Sequence, residues 1–272
     1  MTLLLKTDLE YKVNQKVNGR IARVGGTVNQ LLLYNNCTVD DFNVADGGYG
    51  RVRSGLKALL NVRKYIREEI RFRKEGWKIP RDRKAIILDM HQAYRQETLF
   101  SKYDAIVSSN VVEHSPNPIW LLLNFHFITN PNGYQYHAIP HYRYTYDMYR
   151  KPTPIEHMIR DFEEITNETD RTHNEDYIQS AIEKHGYQKE FHKKYPVAYP
   201  HMHFHVFDET NTRELFEFMF EGVESDVIRT EAFGDNVVLC RNTLRPSFLR
   251  KFGRLIGEYL PEAHALLDRS RC

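Results

Sequence analysis

His203 and His205 stand two residues apart in the run His201-Met-His-Phe-His-Val-Phe207. Read as a strand, His201–Phe207 alternates its side chains between two faces, so His201, His203 and His205 share one of them. Two imidazoles on one face form half of a divalent-metal site, and His141 and His173 are the candidates to complete it. Asp147 or Glu113 would add an oxygen, and a mixed imidazole and carboxylate set suits Mn, Fe or Zn. The expected metal ligands are therefore His141, His173, His203 and His205. A second chemistry uses the same side chains. Neutral imidazole titrates near physiological pH, which makes one of them a candidate general base. A third reading is structural: with 13 histidines in the chain, some meet by chance and only hydrogen-bond.

Such groups act together only if a scaffold presents them together. The first half of the chain alternates strand-like and helix-like segments. Arg20–Gly25 reads as a strand ending in Gly25-Gly26, and Cys37–Val44 as a second that carries Asp40 and Asp41. The spacing of Leu56, Leu59, Leu60, Val62, Tyr65, Ile66 and Ile70 predicts a helix over Gly55–Arg73. Ala85–Leu88 is a third strand, ending at Asp89, and Tyr103–Ser108 a fourth. Asn117-Pro118 opens a helix that runs to Phe127, since Asn is a good N-cap and Pro a good first helical residue. Asn130-Pro-Asn-Gly133 reads as a turn, and Tyr134–Ile139 as a fifth strand stopped by Pro140. Strands alternating with helices imply a parallel sheet with right-handed crossovers. Ligands of such sheets lie at the carboxyl ends of the strands, so the residues just after each strand are the ones to examine.

From His141 onward the pattern changes to an aromatic, charged and histidine-rich one. Helices are expected over Thr153–Phe162, Glu175–His185 and Thr210–Phe220, and strands near Val227–Ala232 and Asn236–Arg241. Arg245–Leu267 reads as an amphipathic helix with Phe248, Phe252, Leu255, Tyr259 and Leu260 on one side. The expected division is a cofactor-binding α/β core over residues 1–140 and a cap over 141–272 that completes the sheet.

Composition narrows the class. The 38 basic and 36 acidic residues nearly cancel, which argues against nucleic acid as the main partner. The basic stretch Arg63–Arg83 reads as a solvated helix face. Three cysteines, Cys37, Cys240 and Cys272, lie far apart, so neither a disulfide framework nor a zinc ribbon is expected. The longest apolar run, Pro118–Ile128, holds Asn124 and His126 and is too short to span a membrane. The expectation is a soluble cytoplasmic protein.

The segment Tyr103-Asp-Ala-Ile-Val-Ser-Ser-Asn-Val-Val-Glu-His114, followed by Asn117-Pro118, the Leu-rich helix, Asn130-Pro-Asn-Gly133 and a strand ending at Pro140, resembles class I S-adenosylmethionine-dependent methyltransferases. A second set, Ile139-Pro-His141, Tyr144-Thr-Tyr-Asp147, Arg150, Thr153-Pro-Ile-Glu-His157, Thr172-His173 and His203-Phe-His-Val-Phe207, resembles a bacterial subgroup associated with cell-surface polysaccharide and small-molecule tailoring. The resemblance implies a Rossmann-like, mostly parallel sheet with helices on both faces and a helical/β substrate cap. It implies S-adenosylmethionine as cofactor, held by Gly25, Gly26, Asp41, Asp89, Met90, Ser109 and Asn110, with Asp40 the alternative acid. Glu113, His114 and His141 are implied at the reacting end. O-methylation of a polar or saccharide-linked acceptor is the expected reaction, with metal assistance open. Arg23-Val-Gly-Gly26 stands where the family has an acidic residue and spaced glycines. That departure keeps two alternatives: a metal-dependent reaction of another class, and a non-catalytic binding homologue.

Overall fold

The structure is a computed structural model, and it describes residues 9, 12, 13, 16, 17, 19–25, 37–43, 83–167, 169–173, 177, 180, 202–229 and 234–259. The predicted helix over Gly55–Arg73, Gly26, His201, the basic stretch before Arg83 and most of Glu175–His185 lie outside the described residues.

Seven strands form one sheet: β1 Gly19–Gly25, β2 Cys37–Asn43, β3 Arg83–Ile87, β4 Tyr103–Ser109, β5 Thr129–Pro140, β6 Glu224–Arg229 and β7 Gly234–Arg241. Their order is β3-β2-β1-β4-β5-β7-β6. The first five run parallel to one another; β7 runs antiparallel to both β5 and β6. The order reverses direction at β1, so the carboxyl ends of β1 and β4 flank the crevice where such sheets take ligands. This is a Rossmann-like, mostly parallel sheet, and the chain's second half completes it.

Alternation along each strand divides the core. Ala22, Val24, Ile106, Ile139, Val238 and Cys240 face the helices α1 Pro118–Ile128, α2 Ile155–Glu163, α3 Glu209–Met219 and α4 Pro246–Tyr259. Ile21, Ala105, Val107, Tyr136, Ala138, Val237 and Leu239 face the other way, onto Leu9, Val13 and Val17. The α1 helix is buried along its whole length except at Trp120, so it lacks the usual polar face. Asn117 caps it by accepting from Trp120 N at 3.0 Å, and Pro118 takes the first turn, as the sequence predicts.

Two expectations need correction. Asn130–Gly133 is not a turn before β5 but a bulge within it. The register passes from Tyr103↔Thr129 to Ala105↔Tyr134, so the surplus residues of β5 must loop out of the ladder. Asn242 holds that bulge: its Nδ2 donates to the carbonyls of His126, Thr129 and Asn130 at 3.0, 2.8 and 3.1 Å. The run before Phe207 is not a strand. Its backbone is satisfied from elsewhere: Phe204 N donates to Glu113 O, Val206 N to Thr153 Oγ1, and Arg150 donates to the carbonyls of His203 and Phe204. His203 and His205 therefore do not share a strand face. Among the described residues no helix is long and apolar enough to cross a membrane.

Candidate functional site

The corner between β1 and β4 is set by two backbone reversals. Gly25 ends β1 at φ +86°, and a Cβ there would stand 2.1 Å from Val111 Cγ2 and 2.6 Å from Ser109 O. Only glycine lets the two strand ends approach this closely. Asn110 follows β4 at φ +52°, a conformation Asn tolerates better than most residues, and its N–H donates to Ala138 O at 3.1 Å. The chain then makes a 3-10 turn over Val112–His114, which places Glu113 and His114 immediately past the strand.

The residues expected around a cofactor take different positions. Gly25, Ser109 and Asn110 come together at this corner. Asp89 lies past β3 and accepts from His91 N at 3.0 Å; the His91 hydrogen bond holds its carboxyl below the usual range. His91 Nε2 meets Ser115 Oγ at 2.8 Å, tying this rim to the loop after β4. Leu88, just past β3, and Val111, just past β4, are half-buried and pack against the helix-side core. Asp41 is opposite Arg23 across the β1–β2 ladder, and the guanidinium already grips its carboxylate, with contacts of 2.5 and 2.6 Å. Asp40 turns to the other side, accepting from Arg20 Nη2 at 2.7 Å and the Tyr103 hydroxyl at 2.9 Å. Met90 is 2% exposed and packs into the core beneath the rim.

A buried polar nest follows β4. Glu113 is 1% exposed, and neither carboxyl oxygen has a hydrogen-bond partner among the described residues. Burial, reinforced by the charges of Asp235 and Asp147, pushes its carboxyl well above the usual range. His114 donates from Nδ1 to Met202 O at 2.9 Å and sets Nε2 3.7 Å from Glu113 Oε1. His203 donates from Nδ1 to Asp147 Oδ2 at 2.5 Å. Arg150 Nη1 grips the other Asp147 oxygen at 2.8 Å. Burial alone would raise the Asp147 carboxyl, but His203 and Arg150 outweigh it and hold it low. The Tyr146 ring lies 4.5 Å from that of His203. An imidazole oriented by a buried carboxylate, beside a carboxyl whose neutral form burial favours, places a proton acceptor next to a hydrogen-bond donor.

The four histidines expected as one metal set fall in three places. His203 belongs to the nest just described. His173 and His205 meet His157 and Asp161 in a second cluster. His141, just past β5, donates from Nε2 to Glu209 at 2.8 Å while its Nδ1 accepts from Arg143 N at 3.3 Å, so both of its nitrogens are engaged. Asp161 becomes visible as a site residue only here; its sequence signal is the spacing of one helical turn from His157. His126 and His137 are core histidines. Burial pushes them down to about 4 and about 3, and they bond Asn242 and Ser108 as neutral rings.

A family model described as a methyltransferase domain matches residues 30–218. Comparison with curated proteins finds no match. Among solved structures, the CMeT domain of the citrinin polyketide synthase is 11% identical, with 83% of this chain and 47% of that one covered at a TM-score of 0.43. The chain thus spans about half the length of that protein. An S-adenosylmethionine-dependent methyltransferase from Methanosarcina mazei is 14% identical, with 89% and 100% covered and a TM-score of 0.45. A methyltransferase-like protein of Bacillus halodurans is 9% identical, with 86% and 97% covered and a TM-score of 0.42.

Proposed function

The chain belongs to the methyltransferase-domain family, and from that premise we propose that it transfers the methyl group of S-adenosylmethionine to an oxygen of a polar small molecule or saccharide-linked acceptor. The observation that carries this reading is the nest of Glu113, His114, His203 and Asp147 directly after β4. The residues present fit the cofactor: an apolar wall of Leu88 and Val111, with Asp89, Ser109 and Asn110 as its polar rim, is what an adenosyl group requires. Gly25, Asp41, Asp89, Ser109 and Asn110 would hold it. Gly26 and Met90 are the further candidates from the sequence. When bound, the sulfonium supplies an electrophilic methyl carbon.

The chain's own residues then manage one proton and one alignment. His203 carries its Nδ1 proton on Asp147, so Nε2 is the atom that takes the acceptor's hydroxyl proton. Asp147, fixed by Arg150, stabilises the imidazolium that results. Glu113, held neutral by burial, donates to the acceptor, and His114 shapes the same pocket through Met202. A divalent ion held by Glu113, His114 and His203 would be the metal-assisted form of this reading. Residues 1–140 act in it as the cofactor core, and 141–272 as the acceptor cap.

The Arg23–Asp41 pair favours a second reading, since it engages the acid expected to receive the ribose. In that reading the chain is a binding homologue on the same fold. Calorimetry of the full chain with S-adenosylmethionine and S-adenosylhomocysteine decides between them. Heat with both supports methyl transfer, and no heat with either supports the second reading. Under the first, His203→Asn keeps binding S-adenosylhomocysteine while methylation falls by roughly 10²–10⁴-fold.

A further inference from the structure

His157, Asp161, His173 and His205 converge from three separate stretches of chain. His157 and Asp161 are one turn apart on α2 and face the same way. His173 follows a tight turn in which Asp170 accepts from Thr172 N at 2.9 Å and Thr172 Oγ1 at 2.6 Å. His205 comes from the irregular run before Phe207. One ligand-capable atom of each residue lies within 4.8 Å of all the others. His157 Nε2 is 3.5 Å from His173 Nε2 and 3.4 Å from Asp161 Oδ2. Asp161 Oδ2 is 2.9 Å from His205 Nε2, and its other oxygen, Oδ1, is 3.8 Å from His173 Nε2. Four ligands at about 2.0–2.2 Å from a tetrahedral zinc ion stand about 3.3–3.6 Å from one another; the 3.4 and 3.5 Å separations match, and His205 and Asp161 need only move apart by a few tenths of an ångström to seat one ion.

The hydrogen bonding also asks for a cation. His205 Nδ1 faces Ser115 O at 3.0 Å; a carbonyl only accepts, so that nitrogen carries a proton. In the neutral ring Nε2 is then a bare lone pair, yet it points at a carboxylate oxygen of Asp161. His157 and His173 bring Nε2 to Nε2, where one neutral ring can donate to the other. An extra proton on His205 relieves its contact with Asp161 alone, whereas a metal ion relieves it and takes up a lone pair from each of the four side chains. The outer contacts are those of a ligand set: Ser115 O on His205, and Thr166 Oγ1 donating to Asp161 Oδ1 at 3.1 Å. Three members are nearly enclosed, while the His157 side chain is 32% exposed. It borders a hollow of about 400 Å³ that offers an ion a way in.

We propose that His157, Asp161, His173 and His205 bind one zinc ion in a closed, four-ligand structural site. The ion staples α2, the segment ending at His173 and the irregular run to the loop after β4. With all four positions taken by protein, it has none left for substrate. The proposal is independent of the methyl-transfer reading.

The test uses the full chain, expressed with zinc and purified without chelator. It is expected to carry about one zinc per chain by elemental analysis, and cobalt exchanged in should show tetrahedral ligand-field absorption. Stripping by a strong chelator should lower Tm, and zinc alone should restore it. His157→Ala alters the most exposed member and should bind zinc about tenfold or more weakly while remaining folded by circular dichroism. Two results overturn the proposal. One is wild-type protein below about one-tenth zinc per chain whose Tm does not respond to zinc or cobalt. The other is zinc retained in His157→Ala but lost in His203→Asn, which would move the ion to the nest after β4. S-adenosylhomocysteine calorimetry on the same preparation reports separately on the proposed activity.

Discussion

A carboxyl group at 1% exposure with no hydrogen-bond partner among the described residues is cheaper to bury neutral than charged, and Glu113 is such a group. The sign of the consequence follows by linkage. A carboxyl whose folded pKa is raised binds more protons in the folded state than in the unfolded one. Stability is then fully present below about pH 4.3, the unfolded value, and is lost as pH rises toward the folded pKa. Glu113→Gln removes that loss, so its stability relative to wild type should grow with pH in denaturant melts run from pH 4 to 8. A difference that stays flat would mean Glu113 titrates as an ordinary carboxyl. Arg150 is the opposite case, a charge buried with its partner at side-chain exposures of 2% and 3%. Arg150→Met leaves Asp147 charged and short of a partner and should cost about 3–5 kcal/mol by chemical denaturation. Residue types alone suggest which groups can do such chemistry. They do not say that His137 is a core ring while His203 stands on a carboxylate, because that depends on neighbours remote in sequence.

Elements decide which of those neighbours meet. The α1 helix was legible because its cap and its apolar run are local signals, and Asn117 does more than cap. Its Nδ2 donates to Asp161 O at 2.9 Å, joining the start of α1 to the end of α2. Asn117→Ala removes both bonds at a site 2% exposed and should cost about 1–2 kcal/mol in Tm-based stability. A loss within 0.3 kcal/mol would show that water or a neighbour replaces the side chain. The β5 bulge was not legible in the same way. Asn-Pro-Asn-Gly is turn chemistry, and only pairing with β4 and the three bonds from Asn242 make it an interruption of a strand. The run before Phe207 fails as a strand for a related reason. Its alternating pattern suits a strand, but among the described residues no strand takes its backbone; Glu113, Thr153 and Arg150 take it instead.

At the scale of the molecule, the division near Pro140 separates compositions more than it separates folding units. The β5 strand pairs with β4 on one side and β7 on the other, and both core faces draw residues from each half of the chain. A chain cut after Pro140 would leave β5 as an unpaired apolar edge and uncover the packing of α3 and α4. Such a fragment should aggregate on size-exclusion chromatography, and a monodisperse, cooperatively melting fragment would contradict this.

Sequence alone determined the parallel run of β1–β5 and the capped helix between β4 and β5. Those follow from periodicity, caps and the right-handedness of crossovers, which act over a few residues. Tertiary structure alone decided how the histidines are partitioned. His203 and His205 are two residues apart, yet one turns to Asp147 and the other to Asp161, because an irregular backbone lets neighbouring side chains diverge. The partners lie 56 and 44 residues away, and no local pattern encodes contacts at that range.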